Sequence, residues 1–411
     1  MKSVAQHYAD VVGLADKVPA VSDSETVPLA EARGRVLATD ILARFAVPPF
    51  SNSAMDGFAV RVADLQIGKQ LPVVGDIVAG DTHQYELAPG TAIRIMTGAP
   101  LPAGTDAVLP VEDTENWANN MLFEPPATII PTALVGQKEN LRFAGADLEV
   151  GDRVLDEGTR LGPAHLGSLA SVGYGQVPVK RRVKVGVLGT GEELCAPGEP
   201  LKFGQIPDSN SWVVRALAEQ TGADVQVRSV YSDQGADFIE ALDELVDECD
   251  LIITTGGVSA GAWDVVKIEL RKRGVEFAQV AMQPGKPQGW GVIGDTAVVC
   301  LPGNPVSVFV SMHLFALPLL RRMCGENIKP FDKYFDRAVA GVSWSHKVGR
   351  TQFLPAVMGE SGVEPATAGG SGSHLIGTLP TATFIALTPA DQERVEPGEE
   401  VTIIRLPTLF I

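Results

Sequence analysis

Val183-Lys-Val-Gly-Val-Leu188, broken at once by Gly189-Thr-Gly-Glu-Glu193, is the stretch whose reading decides the fold. A second apolar run, Asp250-Leu-Ile-Ile-Thr-Thr255, breaks into Gly256-Gly-Val-Ser-Ala-Gly-Ala-Trp-Asp264. A third, Thr296-Ala-Val-Val-Cys-Leu301, breaks into Pro302-Gly-Asn-Pro305. Short runs rich in β-branched residues that stop at glycines, with helical patterns between them, predict an open α/β sheet. In such sheets ligands bind at the carboxyl ends of the strands. The three loops are therefore expected to converge on one crevice. Between the last two lies Gln283-Pro-Gly-Lys-Pro287, a rigid turn that presents Lys286 as a point charge for phosphate or another oxyanion.

Outward from this core, Asp208-Ser-Asn210 opens a helix that stops at Gly222, Asp224–Tyr231 is a strand, and Gly235–Glu248 is a helix. Upstream, Ser3–Leu14 has the pattern of an amphipathic helix, and Val27–Leu37 of a second that ends near Gly34. Thr39–Ala43 begins strand-like structure. Residues 71–124 are short β-runs punctuated by proline and glycine, with Val73–Val78 and Ala92–Met96 as clear members. Leu161–Val172 reads as a helix with Pro163 in its first turn. Residues 330–411 alternate as short strands between turns, which suggests a small β-sandwich or barrel-like domain.

A chain of 411 residues is too long for one compact core. Its net charge of −17 argues against nucleic-acid binding, which needs a basic face. The four cysteines, Cys195, Cys249, Cys300 and Cys324, have no CxxC spacing and read as reduced packing residues. The N-terminus has no apolar core of signal-peptide length. The apolar stretch Pro305–Leu320 holds Ser307, Ser311, His313 and Pro318, and reads as too short and too polar to span a bilayer. A soluble, cytoplasmic protein is expected.

Each site motif has a structural and a functional reading. Thr190 and Glu193 fit a capping box, while Thr190, Gly191 and Glu193 also fit a phosphate or ribose contact with a carboxylate for a metal or hydroxyl. Gly256 and Gly257 let the backbone approach a ligand closely. Asp264, in the first turn of the next helix, suits either Mg²⁺ or the helix dipole. Pro302, Gly303 and Asn304 cap a long apolar helix, with Pro305 at its first position, and leave an anion site at its end. Asp56 before Gly57 fits turn chemistry, yet polar residues clustered in a long loop are often functional. Asp147, Asp233 and Ser373 beside His374 are weaker candidates. No histidine spacing suggests zinc.

Taken together these residues are recognisable. The chain resembles the molybdopterin molybdenumtransferase family, MoeA in bacteria and the C-terminal domain of gephyrin in animals. The resemblance rests on Glu31-Ala-Arg-Gly-Arg-Val-Leu-Ala38, Asn52-Ser-Ala-Met-Asp-Gly57, Arg94-Ile-Met-Thr-Gly-Ala-Pro100, Thr255-Gly-Gly-Val-Ser259, Pro284-Gly-Lys-Pro287 and Leu301-Pro-Gly-Asn-Pro-Val-Ser307, in family order. It implies a multidomain α/β plus β architecture. A discontinuous linking domain would hold residues 1–45 and 145–178, and a mixed β domain inserted within it residues 46–144. An α/β molybdopterin-binding domain would span 179–326 and a C-terminal β domain 327–411.

The resemblance also implies a reaction and a site. Adenylylated molybdopterin and molybdate are the substrates, molybdenum cofactor and AMP the products, and Mg²⁺ the metal. The site is expected between two subunits of a homodimer, where Asp56, Thr97 and Asp147 of one subunit face Gly256, Gly257, Ser259, Asp264 and Lys286 of the other. Glu193, Asp233 and Asp264 are assigned to Mg²⁺; Asp56, Asp233, Asp264 and Lys286 to catalysis; and Thr97, Asp147, Thr190, Gly191, Gly256, Gly257, Ser259, Pro302, Gly303, Asn304 and Ser373 to substrate binding. Contacts with a molybdopterin adenylyltransferase and with molybdoenzyme chaperones follow from the same reading, and none with nucleic acid or membrane.

The chain departs from the family pattern at two cations. Gln283 stands where the family has the first lysine of Lys-Pro-Gly-Lys-Pro, and Pro355 where it has the arginine of Phe-x-Arg-Gly. This keeps open a paralogue that binds molybdopterin but inserts molybdate weakly or selects another oxyanion. A non-catalytic dimeric scaffold ranks below it.

Overall fold

A computed structural model describes residues 1–19, 23–115, 124–231, 235–257, 265–367 and 372–406. Its centre is a six-stranded sheet in the order Asp224–Val230, Lys184–Thr190, Leu251–Thr255, Thr296–Leu301, Pro287–Ile293, Glu276–Gln279. The first four strands are parallel; Pro287–Ile293 runs antiparallel to both of its neighbours, Thr296–Leu301 and Glu276–Gln279. Residues of both parities along the central strands are buried, because helices cover both faces. Val185, Val187, Leu251, Ile253, Val299 and Leu301 face one core, and Leu188, Ile252, Val298 and Cys300 the other. That is why these strands read as unbroken apolar runs. The helices Asn210–Glu219 and Gly235–Glu248 fall where the periodicity predicts them.

The N-terminal helix Val4–Val12 is a Ser3–Gln6 capping box, and its Val4, Tyr8, Val11 and Val12 join the core that holds Val185 and Leu301. The helical expectation for Val27–Leu37 is overturned. Ser24–Pro28 is a strand paired with Gln176–Lys180, followed by a single 3₁₀ turn at Leu29–Glu31 and a turn at Gly34 with φ +77. Lys180 N–H then donates to Val36 O and Leu37 N–H to Thr159 O. Long-range pairing satisfies this backbone, so the local helical spacing of Val27, Ala32 and Val36 has no deciding weight.

A five-stranded sheet in the order Ala107–Pro110, Gly57–Val60, Ala92–Ile95, Leu71–Ile77, Thr128–Ile129 forms the bulk of residues 46–144. It too is packed on both faces, around Phe58 and Leu109 on one and Ile77 and Ile95 on the other. The C-terminal segment forms a six-stranded sheet, in the order Met282–Gln283, Thr351–Met358, Phe384–Thr388, Glu400–Arg405, Asp336–Val339, with Val363–Pro365 beside Thr351–Met358, and a separate pair of Trp344–Ser345 with Arg394–Val395. One face of it, with Phe353, Ile385 and Ile404, packs on the central core. The other, with Leu354, Phe384 and Ile403, closes a core around Trp344.

The expectation that the apolar stretch from Pro305 is too short and too polar to span a bilayer is corrected. Pro305–Met323 is a 19-residue helix apolar enough to do so by length and composition, with mean hydropathy 1.3. It is instead 83% buried inside the protein, where its apolar circumference is the main wall of the central core. All four cysteines are free and buried; burial pushes the Cys324 thiol up to about 11, as suits a packing residue.

Candidate functional site

The loops that leave three adjacent parallel strands touch one another. Gly256 has φ +91, and a Cβ there would stand 2.5 Å from the Thr190 carbonyl oxygen, so only glycine lets the second loop lie against the first. A Cβ at Gly303 would meet the Gly256 Cα at 3.6 Å, which seats the third loop on the second. Asn210 Nδ2 donates to Gly303 O at 2.6 Å and ties that loop to the helix Asn210–Glu219. Thr190 is the last, buried residue of its strand, and Leu194 N–H closes a turn on Gly191 O. A two-residue strand, Leu194–Cys195, follows instead of a helix, so Thr190 and Glu193 form no capping box.

These loops wall a cavity of about 460 Å³, lined by Glu193, Gly256, Gly257, Met282–Pro287, Pro302, Gly303, Asn304, Ser307, Arg350 and Ser373. Eight residues singled out from the sequence are thus brought to one wall: Glu193, Gly256, Gly257, Lys286, Pro302, Gly303, Asn304 and Ser373. Asn304 occupies the cap position of its helix, but its side chain makes no capping bond; Nδ2 donates to Ser373 Oγ at 2.9 Å instead. Val306 N–H, one of the helix's first donors, goes to Ser373 O. The helix end is therefore partly closed by the C-terminal segment rather than left open.

Among the described residues the wall holds two cations, Lys286 and Arg350, and one carboxylate, Glu193. Sequence reasoning missed Arg350 and Ser307. Arg350 arrives through the parallel pairing of Met282–Gln283 with the start of Thr351–Met358, and no local pattern marks it. Pro355, by contrast, is buried in the middle of that strand opposite Ile385 and is absent from the wall.

Asp56, Thr97 and Asp147 stand elsewhere. Asp56 Oδ1 accepts from Thr97 N–H at 2.7 Å and from Thr97 Oγ1 at 2.8 Å. The turn at Thr97 is carried by the strand Ala92–Ile95, which Arg94 pins with bonds of 2.8 and 2.6 Å to the two oxygens of Asp76. Asn52–Ser53 pairs with Leu141–Arg142, and Asp147 N–H donates to Val47 O. The three residues thus belong to one connected part of the N-terminal half, and none of them lines the cavity. Asp233, Ser259 and Asp264 lie outside the described residues. Among the described residues no three His, Cys, Asp or Glu side chains gather as a metal site. Of the assigned Mg²⁺ ligands, Glu193 alone falls within them.

Comparison with known proteins covers the chain from end to end. Residues 2–173 match the MoeA N-terminal region (domain I and II), 186–322 a probable molybdopterin binding domain, and 337–406 the MoeA C-terminal region (domain IV). The molybdopterin molybdenumtransferase 2 of Mycobacterium tuberculosis is 38% identical over 98% of this chain and 99% of its own length. The molybdopterin molybdenumtransferase of Haemophilus influenzae is 37% identical over 94% and 95%. The crystal structure of the molybdopterin biosynthesis moeA protein from Pyrococcus horikoshii OT3 superposes with a TM-score of 0.82 at 28% identity, covering 99% of this chain and 100% of that one.

Proposed function

The chain belongs to the MoeA family, and from that membership we propose that it inserts molybdate into adenylylated molybdopterin and releases AMP in molybdenum cofactor biosynthesis. The observation that carries this reading is the convergence of three glycine loops and the Lys286 turn on one cavity. Both substrates are anionic. Close-approach loops and a positioned lysine suit phosphates, whose developing charge is stabilised by groups fixed before the P–O bond to the adenylate breaks. Lys286, between two prolines, is held as a point charge rather than a mobile tether.

Mg²⁺ belongs to the proposal and fits one described donor. It is usually held by one or two carboxylates together with substrate phosphates, and Glu193 supplies such a carboxylate at the cavity wall. Bound there, the ion would neutralise phosphate charge.

We also propose a homodimer with a shared site. Asp56 bonded to Thr97, and Asp147 further along the same N-terminal half, are polar residues that the described cavity of the same chain does not use. The same region exposes Leu42, Phe45, Phe50, Phe143 and Val150, an apolar surface suited to a partner. A cytoplasmic location and receipt of substrate from an adenylyltransferase complete the reading. The test is AMP release from adenylylated molybdopterin with Mg²⁺ under a molybdate titration. Saturable, molybdate-dependent release supports the proposal; tight pterin binding without release at any molybdate level contradicts it.

A further inference from the structure

We propose that a second cavity, further along the helix Pro305–Met323 from the glycine loops, binds a small organic anion, a phosphate or carboxylate on an apolar body. The cavity holds about 340 Å³, and among the described residues it shares no lining residue with the first. One helix serves both. Its first turn, with Asn304 as cap and Ser307, faces the glycine loops, while His313, Leu317 and Arg321 line the second cavity. At about 1.5 Å of rise per residue, Asn304 and His313 stand roughly 14 Å apart along the axis.

The helix departs from α geometry where it meets this cavity. Met312–Ala316 is a π-helical turn, closed by Leu317 N–H on Met312 O. Pro318 follows and has no N–H, so the next bond of that pattern, to His313 O, cannot form. Tyr334 takes its place, its O–H donating to His313 O at 3.0 Å. A π turn breaks the regular ladder of a helix and recurs at functional sites. Here it carries His313, which lines the cavity, is 3% exposed and has no hydrogen-bond partner for Nε2. Its neighbours Leu314, Leu317, Leu319 and Leu320 show what the position would hold if it served packing alone. A buried ring nitrogen without a partner is destabilising, and a ligand that bonds it recovers the loss.

The charges around that ring select the ligand. Arg321 lies two turns on, and its charge adds to burial in holding His313 neutral. Lys329 and Lys333 reach the same cavity. Among the described residues none of these three cations has an ion-pair partner. The two acids of the wall are already engaged, Asp336 Oδ2 accepting from Arg405 Nε at 2.8 Å and Glu326 pairing with Arg160. Three like charges around one hollow repel one another, and an anion between them reverses that repulsion. A guanidinium and two ammonium groups suit two or three oxygens of one phosphate or carboxylate. Leu317, Pro318, Ile328 and Ile404 supply apolar surface beside them. A bare inorganic anion would leave that surface wet, so the matching ligand carries an apolar body.

The test titrates phenyl phosphate, benzoate and inorganic phosphate calorimetrically into the full-length protein and into Lys286→Ala, Arg321→Gln and Lys333→Gln. Ring-nitrogen NMR of labelled histidines reads the site directly. Phenyl phosphate or benzoate is expected to bind saturably, once per chain, and the tighter of the two identifies the head group. Binding should persist in Lys286→Ala, which alters the first cavity only. Its Kd should rise about ten- to hundredfold in Arg321→Gln and roughly tenfold in Lys333→Gln, the worth of charge-assisted contacts. Inorganic phosphate should bind at least about tenfold more weakly than phenyl phosphate. One buried histidine ring signal should move on saturation of the wild type and stay in place in Arg321→Gln.

Absence of saturable binding by both organic anions overturns the inference. Binding that disappears in Lys286→Ala overturns it as well, because the anion then sits in the first cavity. Equal Kd in the wild type and in both cation variants removes the second cavity as the site. Should Arg321→Gln fail to fold, Lys333→Gln decides, since Lys333 is exposed on a surface turn. Equal affinity for inorganic phosphate and phenyl phosphate contradicts the apolar body.

Discussion

His7 is fully buried with neither ring nitrogen hydrogen-bonded, edge-on to Trp290 and Phe315 at centroid distances of 4.9 and 4.5 Å. Burial first, and the charge of Lys2 second, lower its pKa to about 3. His313 is lowered to about 3 by burial, with Arg321 adding to it. In both cases the unfolded chain takes the proton first as pH falls. The stability these neutral rings contribute is present above about pH 6.5 and is lost progressively from there toward pH 3, at up to about 1.4 kcal/mol per pH unit per group. Thermal melts should therefore shift down between pH 7 and 4, and His7→Phe should make that dependence shallower; an unchanged slope would contradict the assignment. At this scale the sequence shows the glycine and Lys286 positions because backbone geometry and flanking prolines specify them locally. Arg350 is illegible because a strand pairing across nearly seventy residues brings it in, Gln283 to Gln352. Asn304 has the right position and the wrong partner, since Ser373 offers its amide a bond that a cap would otherwise take.

Strands and helices of the central unit were legible to within a residue or two where two signals agree. Thr296–Leu301 and Gly235–Glu248 lie where periodicity and flanking glycines place them. Val27–Leu37 failed because its apolar spacing is helical while its backbone partners, Gln176–Lys180, are distant. The edge of the central unit carries one charged clamp. Asp250, just ahead of the strand Leu251–Thr255, accepts from Arg181 Nη1 and Nη2 and from Lys184 N–H, each at 2.8 Å. Burial pushes its carboxyl up, but the Arg181 fork and the Lys184 N–H outweigh it and hold it below the usual range. Because the folded pKa is depressed, the contribution is present above about pH 4, the ordinary aspartate value, and is lost as pH falls through the folded value. Asp250→Asn is expected to cost about 1.5–3 kcal/mol in urea unfolding near pH 7 and less at pH 3 than at pH 7; equal cost at both would contradict the clamp.

At the scale of the whole molecule, one backbone seam brings distant parts of the chain together. Lys2 N–H donates to Gln279 O, Ala281 N–H to Lys2 O, and Thr351 N–H to Ala281 O, so the N-terminus, the Lys286 turn and the C-terminal sheet meet at one place. This seam builds the cavity, and it explains why a site read as three loops of one unit gains a wall from the C-terminal sheet. Of the two departures from the family pattern, Gln283 lies in the wall and Pro355 does not, while Arg350 does. The central claim is that the cavity inserts molybdate with Asp56 supplied by a second subunit. Mixed dimers of Asp56→Asn and Lys286→Ala test it most directly, by molybdate-dependent AMP release. Each variant alone should be inactive, and random re-association of the two should restore roughly a quarter of wild-type turnover, from the one intact site in each mixed dimer of a two-fold assembly. No restored AMP release in demonstrably mixed dimers would contradict the shared site.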